Sequence, residues 1–372
     1  MIATSTLPAP PTANADSGPA LRLRALQKRF GAVEAVASVD LTLRHGEFLT
    51  LLGPSGSGKT TILKMIAGFE RPSAGSIELA GRDVSTLSPA ERGIGVVFQQ
   101  YALFPHMTVQ ENIAYPLKLR RWSPGDRGRR VDEMLSLVEL QGYGERYPRE
   151  LSGGQQQRVA VARALAFQPA LLLMDEPLGA LDRALRIGMQ EEIRRIHRES
   201  GATVLYVTHD QEEALTMSDR VAILRDGRLL QVGAPRDLYR RPADRFVATF
   251  FGECTLVPAT LLAQVDADHV RVAALGQEAI VRRGGPVPGD DLSLAIRPGK
   301  LRLHPAPGDL LLPASIVDVL YLGDSVRIVG RQAMAGQVLV RADPDEAAGV
   351  AIGQELTLGF APADAVAVGG SN

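Results

Sequence analysis

The chain has a single cysteine, no long apolar run and almost no net charge. Cys254 cannot form an intrachain disulfide and is typical of a reducing compartment. No apolar run approaches the roughly 18 residues of a membrane span, and no apolar stretch follows a basic start as in a secretory signal. A formal net charge of −1 over 372 residues argues against nucleic-acid binding. These absences predict a cytoplasmic protein that binds no nucleic acid.

Patterning along the chain predicts three regions. Residues 1–20, rich in Ala, Pro, Ser and Thr, are typical of a disordered tail. Residues 21–245 alternate strands and helices, which predicts an α/β domain with a largely parallel sheet, and a helical subdomain is inserted at about residues 101–165. Residues 246–372 carry short, mostly β-branched segments among Gly and Pro, which predicts a separate β-rich domain built as a small barrel.

Local signals predict the bounds of several elements. Leu21–Arg44 reads as two strands joined by a turn. Apolar residues from Ile62 to Phe69 recur at helical spacing. The pattern Thr108-x-x-Glu111 is a capping box that opens a helix. A polar, Arg-rich connection then extends to residue 130, and we expect the next helix at 131–140.

A glycine-rich loop between a predicted strand and a predicted helix carries the clearest chemistry. It fits the pattern G-x-x-x-x-G-K-[ST] with Gly53, Pro54, Ser55, Gly56, Ser57, Gly58, Lys59 and Thr60. Such glycines let backbone N–H groups wrap phosphates, and the helix N-terminus adds partial positive charge. Lys59 can reach the β- and γ-phosphates, and the Thr60 hydroxyl can bind Mg²⁺. The alternative is a glycine-rich turn without a ligand.

An apolar strand, Leu171–Asp175, ends in two adjacent carboxylates. Asp175 can hold Mg²⁺ through its water shell. Glu176 projects in another direction and can face the water that attacks a γ-phosphate, so the pair can divide metal binding from water positioning. The alternative is an acid pair that only caps the following helix.

A second glycine-rich helix start comprises Ser152, Gly153, Gly154 and Gln155. Ser-x-x-Gln is a capping box, and in one interpretation the glycines have no other role than to let the chain enter the helix tightly. The same free hydroxyl and bare N–H groups also make an anion site. Spacing alone does not decide between the two interpretations.

Three isolated residues have weaker signals. Gln99 follows an apolar strand and can bind Mg²⁺ or a water through its amide oxygen, although a lone Gln is usually just a polar residue without a ligand. His209 follows the strand predicted at 202–208 and can reach a γ-phosphate, although it can equally cap the next helix. Phe30, beside a turn, can stack on a base or belong to the core.

Taken in order, these elements resemble the ATP-binding subunit of an ABC (ATP-binding cassette) transporter. The matching positions are Phe30, Gly53–Thr61, Gln99, Leu151–Gln155, Leu171–Glu176, Ala180-Leu181-Asp182 and His209. The resemblance covers roughly residues 21–240. It implies ATP and Mg²⁺ as cofactors, hydrolysis of ATP to ADP and phosphate, adenine stacking on Phe30, and nucleotide-site roles for Thr61 and Asp182.

The resemblance also implies a head-to-tail homodimer. ATP would lie between Gly53–Thr61 of one chain and Ser152–Gln155 of the other. Residues 101–150 would dock on two integral-membrane permease subunits, and an extracytoplasmic solute-binding protein would deliver the solute. The chain would therefore be peripheral, at the cytoplasmic face of the inner membrane. The alternative for residues 101–150 is a helical lid without a partner.

Longer stretches resemble importers of polyamines, iron, phosphonate and sugars, which add a C-terminal OB-like transport-associated domain. Tyr321–Ser325 is similar to the spermidine/putrescine branch, so a polyamine is the expected solute, ahead of phosphonate, ferric iron, thiosulfate or sugar. Gly299 departs from this group, which usually has Glu after Arg297-Pro298. Two rival classes remain: a non-transport ABC ATPase of translation or DNA repair, and a regulatory module that no longer hydrolyses ATP.

Overall fold

The computed structural model describes residues 18–179, 183–285 and 291–370. It divides into two compact units between Pro235 and Arg236, whereas the sequence placed the domain boundary at 245/246. Almost all of the expected tail, and Asp182, lie outside the described residues. In the described part of the chain, no helix is long and apolar enough to cross a membrane.

The first unit contains ten strands and six α-helices within its described residues. Its strands are β1 (Leu21–Phe30), β2 (Val33–Leu43), β3 (Phe48–Leu52), β4 (Ala74–Leu79), β5 (Arg82–Asp83), β6 (Ile94–Val97), β7 (Leu171–Asp175), β8 (Val204–Thr208), β9 (Arg220–Arg225) and β10 (Arg228–Gly233). Its helices are α1 (Lys59–Ala67), α2 (Val109–Leu119), α3 (Pro124–Leu137), α4 (Gly153–Leu165), α5 (Arg183–Ser200) and α6 (Gln211–Met217).

Two sheets organise this unit. One is antiparallel, in the order β2-β1-β4-β5, and it contains the hairpin expected at residues 21–44. The other has the order β10-β9-β3-β8-β7-β6 and is parallel from β6 to β9, with β10 added antiparallel. Strands β3 and β8 are buried along their whole length, as expected for a parallel sheet covered on both faces. The largely parallel sheet is therefore confirmed.

Helix α1 ends earlier than the apolar spacing predicted. Gly68 adopts φ +88° and its N–H donates to the Met65 carbonyl, a left-handed C-cap that ends the helix at Ala67. Phe69 therefore lies outside the helix, and 53% of its surface is exposed. The prediction that this helix carries Phe69 was wrong, because glycine at position 68 stops the helix first.

Helix α3 begins earlier than expected. The Arg-rich segment up to residue 130 was interpreted as a connection, but α3 starts at Pro124, and the Ser123 side chain caps it by accepting from the Asp126 N–H. Ser followed by Pro at the first helical position is a strong start signal. Arg129 is exposed, and Arg130 donates to the Ala166 carbonyl at 2.9 Å, so these arginines belong to a helix and their polarity did not mark a loop. Helix α2 does open with the predicted Thr108/Glu111 capping box.

The second unit is mainly β-structure. Its elements are α7 (Pro235–Arg240), α8 (Arg245–Phe250), β11 (Thr255–Gln264), β12 (His269–Ala274), β13 (Gln277–Arg283), β14 (Leu292–Ile296), β15 (Leu310–Tyr321), β16 (Val326–Gln332), β17 (Gly336–Ala342), β18 (Glu355–Phe360) and β19 (Ala365–Gly369). A closed barrel has the order β11-β12-β13-β19-β14, and a four-stranded sheet has the order β17-β16-β15-β18. A β-rich, barrel-containing domain is confirmed; the additional sheet was not predicted.

Candidate functional site

Four loops of the first unit leave the carboxyl ends of neighbouring parallel strands. Gly53 follows β3, Glu176 follows β7 and His209 follows β8. Gln99 lies two residues beyond β6. Since these strands are parallel neighbours, their carboxyl ends share one edge of the sheet, which is where ligands bind in open α/β sheets. The sheet thus gathers residues that are far apart in sequence.

The glycine-rich loop has no room for side chains at two of its positions. A Cβ on Gly53 would lie 2.3 Å from the Leu224 carbonyl oxygen, and a Cβ on Gly58 would lie 2.6 Å from the Ala35 carbonyl oxygen. Gly58 also adopts φ +96°, and Gly56 adopts φ +82°, which L-residues rarely do. The loop is therefore a tight cradle lined by backbone, with Ser55 and Gly56 exposed at its tip.

The Lys59 side chain folds back over this loop. Its Nζ donates to the carbonyl oxygens of Gly53 at 2.8 Å and Pro54 at 2.9 Å and approaches Ser57 Oγ at 3.4 Å. Only 5% of the residue is exposed, and burial lowers the pKa of Lys59, against the opposing effect of Glu176 and Asp175. A buried ammonium held only by neutral acceptors would gain from a phosphate, a stronger charged partner.

Two acidic side chains diverge at the end of β7. Asp175 Oδ1 is 3.4 Å from Thr60 Oγ1 in the first turn of α1, whereas Glu176 Oε1 is 3.1 Å from His209 Nδ1. Glu176 has φ +45°, a strained conformation for this residue type that costs about 1–3 kcal/mol. Its N–H donates to the Val207 carbonyl at 2.9 Å, which holds the turn in place.

The Thr60 and Asp175 oxygens fit a magnesium ion. Both are hard oxygen donors of the kind that Mg²⁺ prefers. Burial, followed by repulsion from Glu176, raises the pKa of Asp175, so a cation would relieve its buried charge. Gln99 has no hydrogen bond to either residue within the described chain. Its Nε2 instead lies 3.3 Å from where a Cβ on Gly179 would stand, so its role as a ligand stays a prediction.

Phe30 ends β1 beside the strand that passes the phosphate loop. Its ring is 48% exposed, and Lys28 Nζ lies 4.7 Å from the ring centroid. Phe30 pairs with Val33 at the start of β2, and the Ala35 carbonyl in β2 approaches Gly58. The exposed ring is free to stack on a base, while Thr61 is half-buried in α1.

The second glycine-rich helix start is capped as its sequence predicted. Ser152 N–H donates to Gln155 Oε1 at 3.0 Å, and Gln155 N–H donates to Ser152 Oγ at 3.3 Å. Ser152 and Gly153 are exposed, and Ser152, Gly154 and Gln155 line an open cleft of about 320 Å³. No hydrogen bond or ion pair among the described residues joins this helix start to residues 53–61. It faces outward, away from direct contact with its own phosphate loop.

Sequence reasoning missed Arg163, which holds the loop after β6. Its guanidinium donates to the Ala102 carbonyl at 2.8 Å and to the Tyr101 carbonyl at 3.1 Å. Both of those residues have positive φ, +45° and +57° respectively. Burial lowers the pKa of Arg163. The only sequence signal was an arginine within the otherwise apolar second half of α4.

Asp210 was also missed as the residue that anchors the His209 loop. It caps α6 by accepting from the Glu212 N–H at 2.8 Å and the Glu213 N–H at 3.4 Å. Its other oxygen accepts from Arg186 Nη1 at 3.2 Å. The cap of this helix is thus Asp210 rather than His209, which leaves His209 free to contact Glu176. An Asp before a helical segment is a recognisable N-cap signal.

Comparisons with known proteins identify matching families and similar sequences. The family model for the ABC transporter matches residues 36–179, and the model for the TOBE domain matches residues 294–368. The spermidine/putrescine import ATP-binding protein PotA of Rubrobacter xylanophilus is 45% identical over 356 residues, with 94% of each chain covered. The protein of the same name from Acidothermus cellulolyticus is 48% identical over 338 residues, covering 89% of this chain and 88% of its own.

A solved structure is also similar. It is the dimeric structure of a post-hydrolysis state of the ATP-binding cassette MJ0796 bound to ADP and Pi. The TM-score is 0.51 at 35% identity, and the match covers 57% of this chain and 98% of the other.

Proposed function

The chain belongs to the family of ABC transporter ATP-binding subunits, and from this premise we propose that it hydrolyses ATP to drive the import of a polyamine. The observation that carries the proposal is the arrangement of two separate surfaces whose chemistry suits phosphate. One is assembled at the edge of the parallel sheet, and the other is exposed at Ser152–Gln155 without contact to the first. A second identical chain would complete the site.

In the proposed dimer, ATP is bound between Gly53–Thr61 of one chain and Ser152–Gln155 of the other. The phosphates draw Lys59 away from the loop carbonyls and into a charge-assisted contact. The capped helix start of the second chain adds N–H groups and partial positive charge on the opposite side. Phe30 stacks on the adenine base. Asp182 and Gln99 are assigned to the same site by resemblance alone.

Thr60 and Asp175 would hold Mg²⁺, which neutralises charge on the β- and γ-phosphates. Glu176 is the residue we assign to the attacking water. Its carboxylate is oriented by His209 Nδ1 at 3.1 Å, and its backbone is fixed by the turn after β7. His209 is free to leave Glu176 for the γ-phosphate once ATP is bound. Gln99, as a water or metal ligand, would sense the same phosphate.

ATP binding would close the dimer, and hydrolysis would open it. We propose that residues 101–150 transmit this motion to two membrane permease subunits at the cytoplasmic face of the inner membrane. Arg163 supports the transmission because it ties the backbone after Gln99 to helix α4. An extracytoplasmic solute-binding protein would supply the solute.

The proposed solute is spermidine or putrescine. Support comes from the spermidine/putrescine import ATP-binding proteins that are 45–48% identical over most of the chain and from the Tyr321–Ser325 segment. The test is uptake of radiolabelled putrescine by cells that carry this chain and its permeases, with unlabelled spermidine, thiosulfate or a sugar as competitor. Competition by spermidine alone supports the proposal; competition by thiosulfate or sugar alone refutes the polyamine assignment and leaves the ATPase intact.

The catalytic assignment is tested with Glu176→Gln. This variant should bind ATP as tightly as the wild type and lose nearly all turnover, because the amide no longer orients the attacking water. Glu191→Gln, an exposed acid on α5, is the matched control and should retain full turnover. Unchanged turnover in Glu176→Gln would remove the proposed role.

A further inference from the structure

The second compact unit contains an open cleft whose charged lining is almost entirely basic. Its volume is about 500 Å³, which is within the range of small-molecule sites. Four cationic side chains line it, from Arg240, Arg282, Arg297 and Lys300, against the single carboxylate of Asp364. This ratio is unusual in a chain whose overall charge is close to zero.

The Asp364 carboxylate of the cleft is already paired with a cation, whereas the side chains of two other cations are not paired within the described residues. Lys300 Nζ pairs with Asp364 Oδ1 at 2.9 Å. The side chains of Arg240 and Arg282 make no hydrogen bond or ion pair with any residue of the described ranges. Both guanidinium groups are exposed to the cleft, so their donors are available to a ligand. Guanidinium groups bind carboxylate and phosphate in a two-pronged geometry.

Arg297 adds a positive charge whose hydrogen-bond acceptors are all uncharged backbone carbonyl groups. Its Nη1 donates to the Ala248 carbonyl at 2.7 Å and the Gly252 carbonyl at 3.0 Å, and its Nη2 donates to the Tyr239 carbonyl at 2.9 Å. The guanidinium carbon lies 4.1 Å from the Tyr239 ring centroid. Its position is therefore fixed, and no carboxylate in the described part of the chain neutralises it. A rigid, unneutralised cation is an anion-binding element.

The departure at Gly299 falls on the wall of this cleft. Gly299 has no side chain and therefore contributes no carboxylate that could balance the arginines. A Cβ at Gly299 would meet no heavy atom within 4 Å, and its φ is not in the left-handed region. A Gly299→Glu substitution would therefore add a negative charge to the wall of the cleft without a clash at Cβ.

We propose that this cleft binds a small multivalent oxyanion, carrying phosphate or carboxylate groups, at a site separate from the ATP site. Arg240 and Arg282 are the direct ligands, and Arg297 supplies a fixed positive background. The transported cation is an unsuitable ligand here, because like charges would repel it. The site would make the domain a sensor of an anionic metabolite.

The experiment is isothermal titration of the full chain, without magnesium, with inorganic phosphate in one arm and citrate in the other. We expect binding that weakens as salt increases. Gly299→Glu and Arg282→Ala should each weaken it by at least about tenfold, since each removes roughly one unit of net positive charge at contact distance. Arg271→Glu, an exposed position outside the cleft, is the charge-change control and should bind normally.

Lys59→Ala separates the cleft from the ATP site, because phosphate can also enter the glycine-rich loop. Binding that survives Lys59→Ala and is lost in Gly299→Glu supports the cleft. Tighter binding of citrate than of phosphate would identify a carboxylate metabolite, and the reverse order a phosphate ester. The proposal is overturned if binding disappears in Lys59→Ala or if neither anion binds.

Discussion

Replacing Asp210 tests whether the His209 loop is held in place by the cap of α6. Asp210→Ala removes the acceptor for the Glu212 and Glu213 N–H groups and the partner of Arg186. Loss of an N-cap costs about 1 kcal/mol. The ion pair is partly exposed, with 32% and 24% of the two side chains accessible, so it contributes at most about 0.5 kcal/mol. Together these terms favour local opening of α6 by about 1.5 kcal/mol, or roughly tenfold.

Two measurements follow from this magnitude. Amide hydrogen exchange in the first turn of α6 should become about tenfold faster, because exchange reports local opening. The kcat for ATP hydrolysis should fall by up to about tenfold, because His209 is no longer held where it can reach the γ-phosphate. The KM for ATP should change little, since Lys59 and the glycine-rich loop are untouched.

Asp210→Asn is the matched control. Asn is as good an N-cap as Asp, so this variant keeps the cap and loses only the charge of the Arg186 pair. Its kcat should stay within about threefold of the wild type. If Asp210→Ala exchanged and hydrolysed like the wild type, or if Asn and Ala were equally impaired, the cap would not be what positions His209.

Three other substitutions test separate parts of the site. Asp175→Asn should abolish Mg²⁺-dependent hydrolysis yet raise the Tm of the nucleotide-free chain by a few degrees at pH 7. Burial raises the folded-state pKa of Asp175, so its ionised form destabilises the fold at neutral pH, and calorimetry should show the difference vanishing below about pH 4. Arg163→Ala should lower permease-stimulated ATPase in proteoliposomes several-fold more than basal ATPase; equal losses would argue against a role in coupling. In urea denaturation, Gly58→Ala should lower the free energy of unfolding by about 1–3 kcal/mol, and this variant should also lose ATP binding. Gly56→Ala should lower the free energy of unfolding less, because a Cβ at Gly56 meets no atom within 4 Å. Equal effects would mean that backbone strain rather than the clash dominates.

The sequence was sufficient to locate the site elements that depend on local context. The glycine-rich loop, the Asp175–Glu176 pair and the Ser152 cap each sit at a strand end or helix start that nearby residues specify. Helix α3 was misplaced because its Ser-Pro start lies within an Arg-rich segment that also suits a loop. The end of α1 was misplaced because the apolar spacing continues past Gly68, whereas the helical backbone ends at Ala67.

Contacts between distant segments could not be predicted in this way. Strand β14 pairs with β11 and with β19, so that Ile296 lies opposite both Thr255 and Ala365. No periodicity within one segment specifies such partners. The hold of Arg163 on the Tyr101 carbonyl likewise joins residues 62 positions apart. The additional sheet of the second unit and the supports of the site loops were missed for this reason.

The central claim is that each ATP site is built from two chains, and mixing two inactive variants tests it directly. Lys59→Ala disables the glycine-rich loop, and Ser152→Arg blocks the second helix start. Each variant alone should be inactive, because neither homodimer contains an intact site. In the mixed dimer, the intact loop of one chain meets the intact helix start of the other, which restores one site of two. The account predicts recovered ATP hydrolysis on mixing; a mixture as inactive as its components would contradict it.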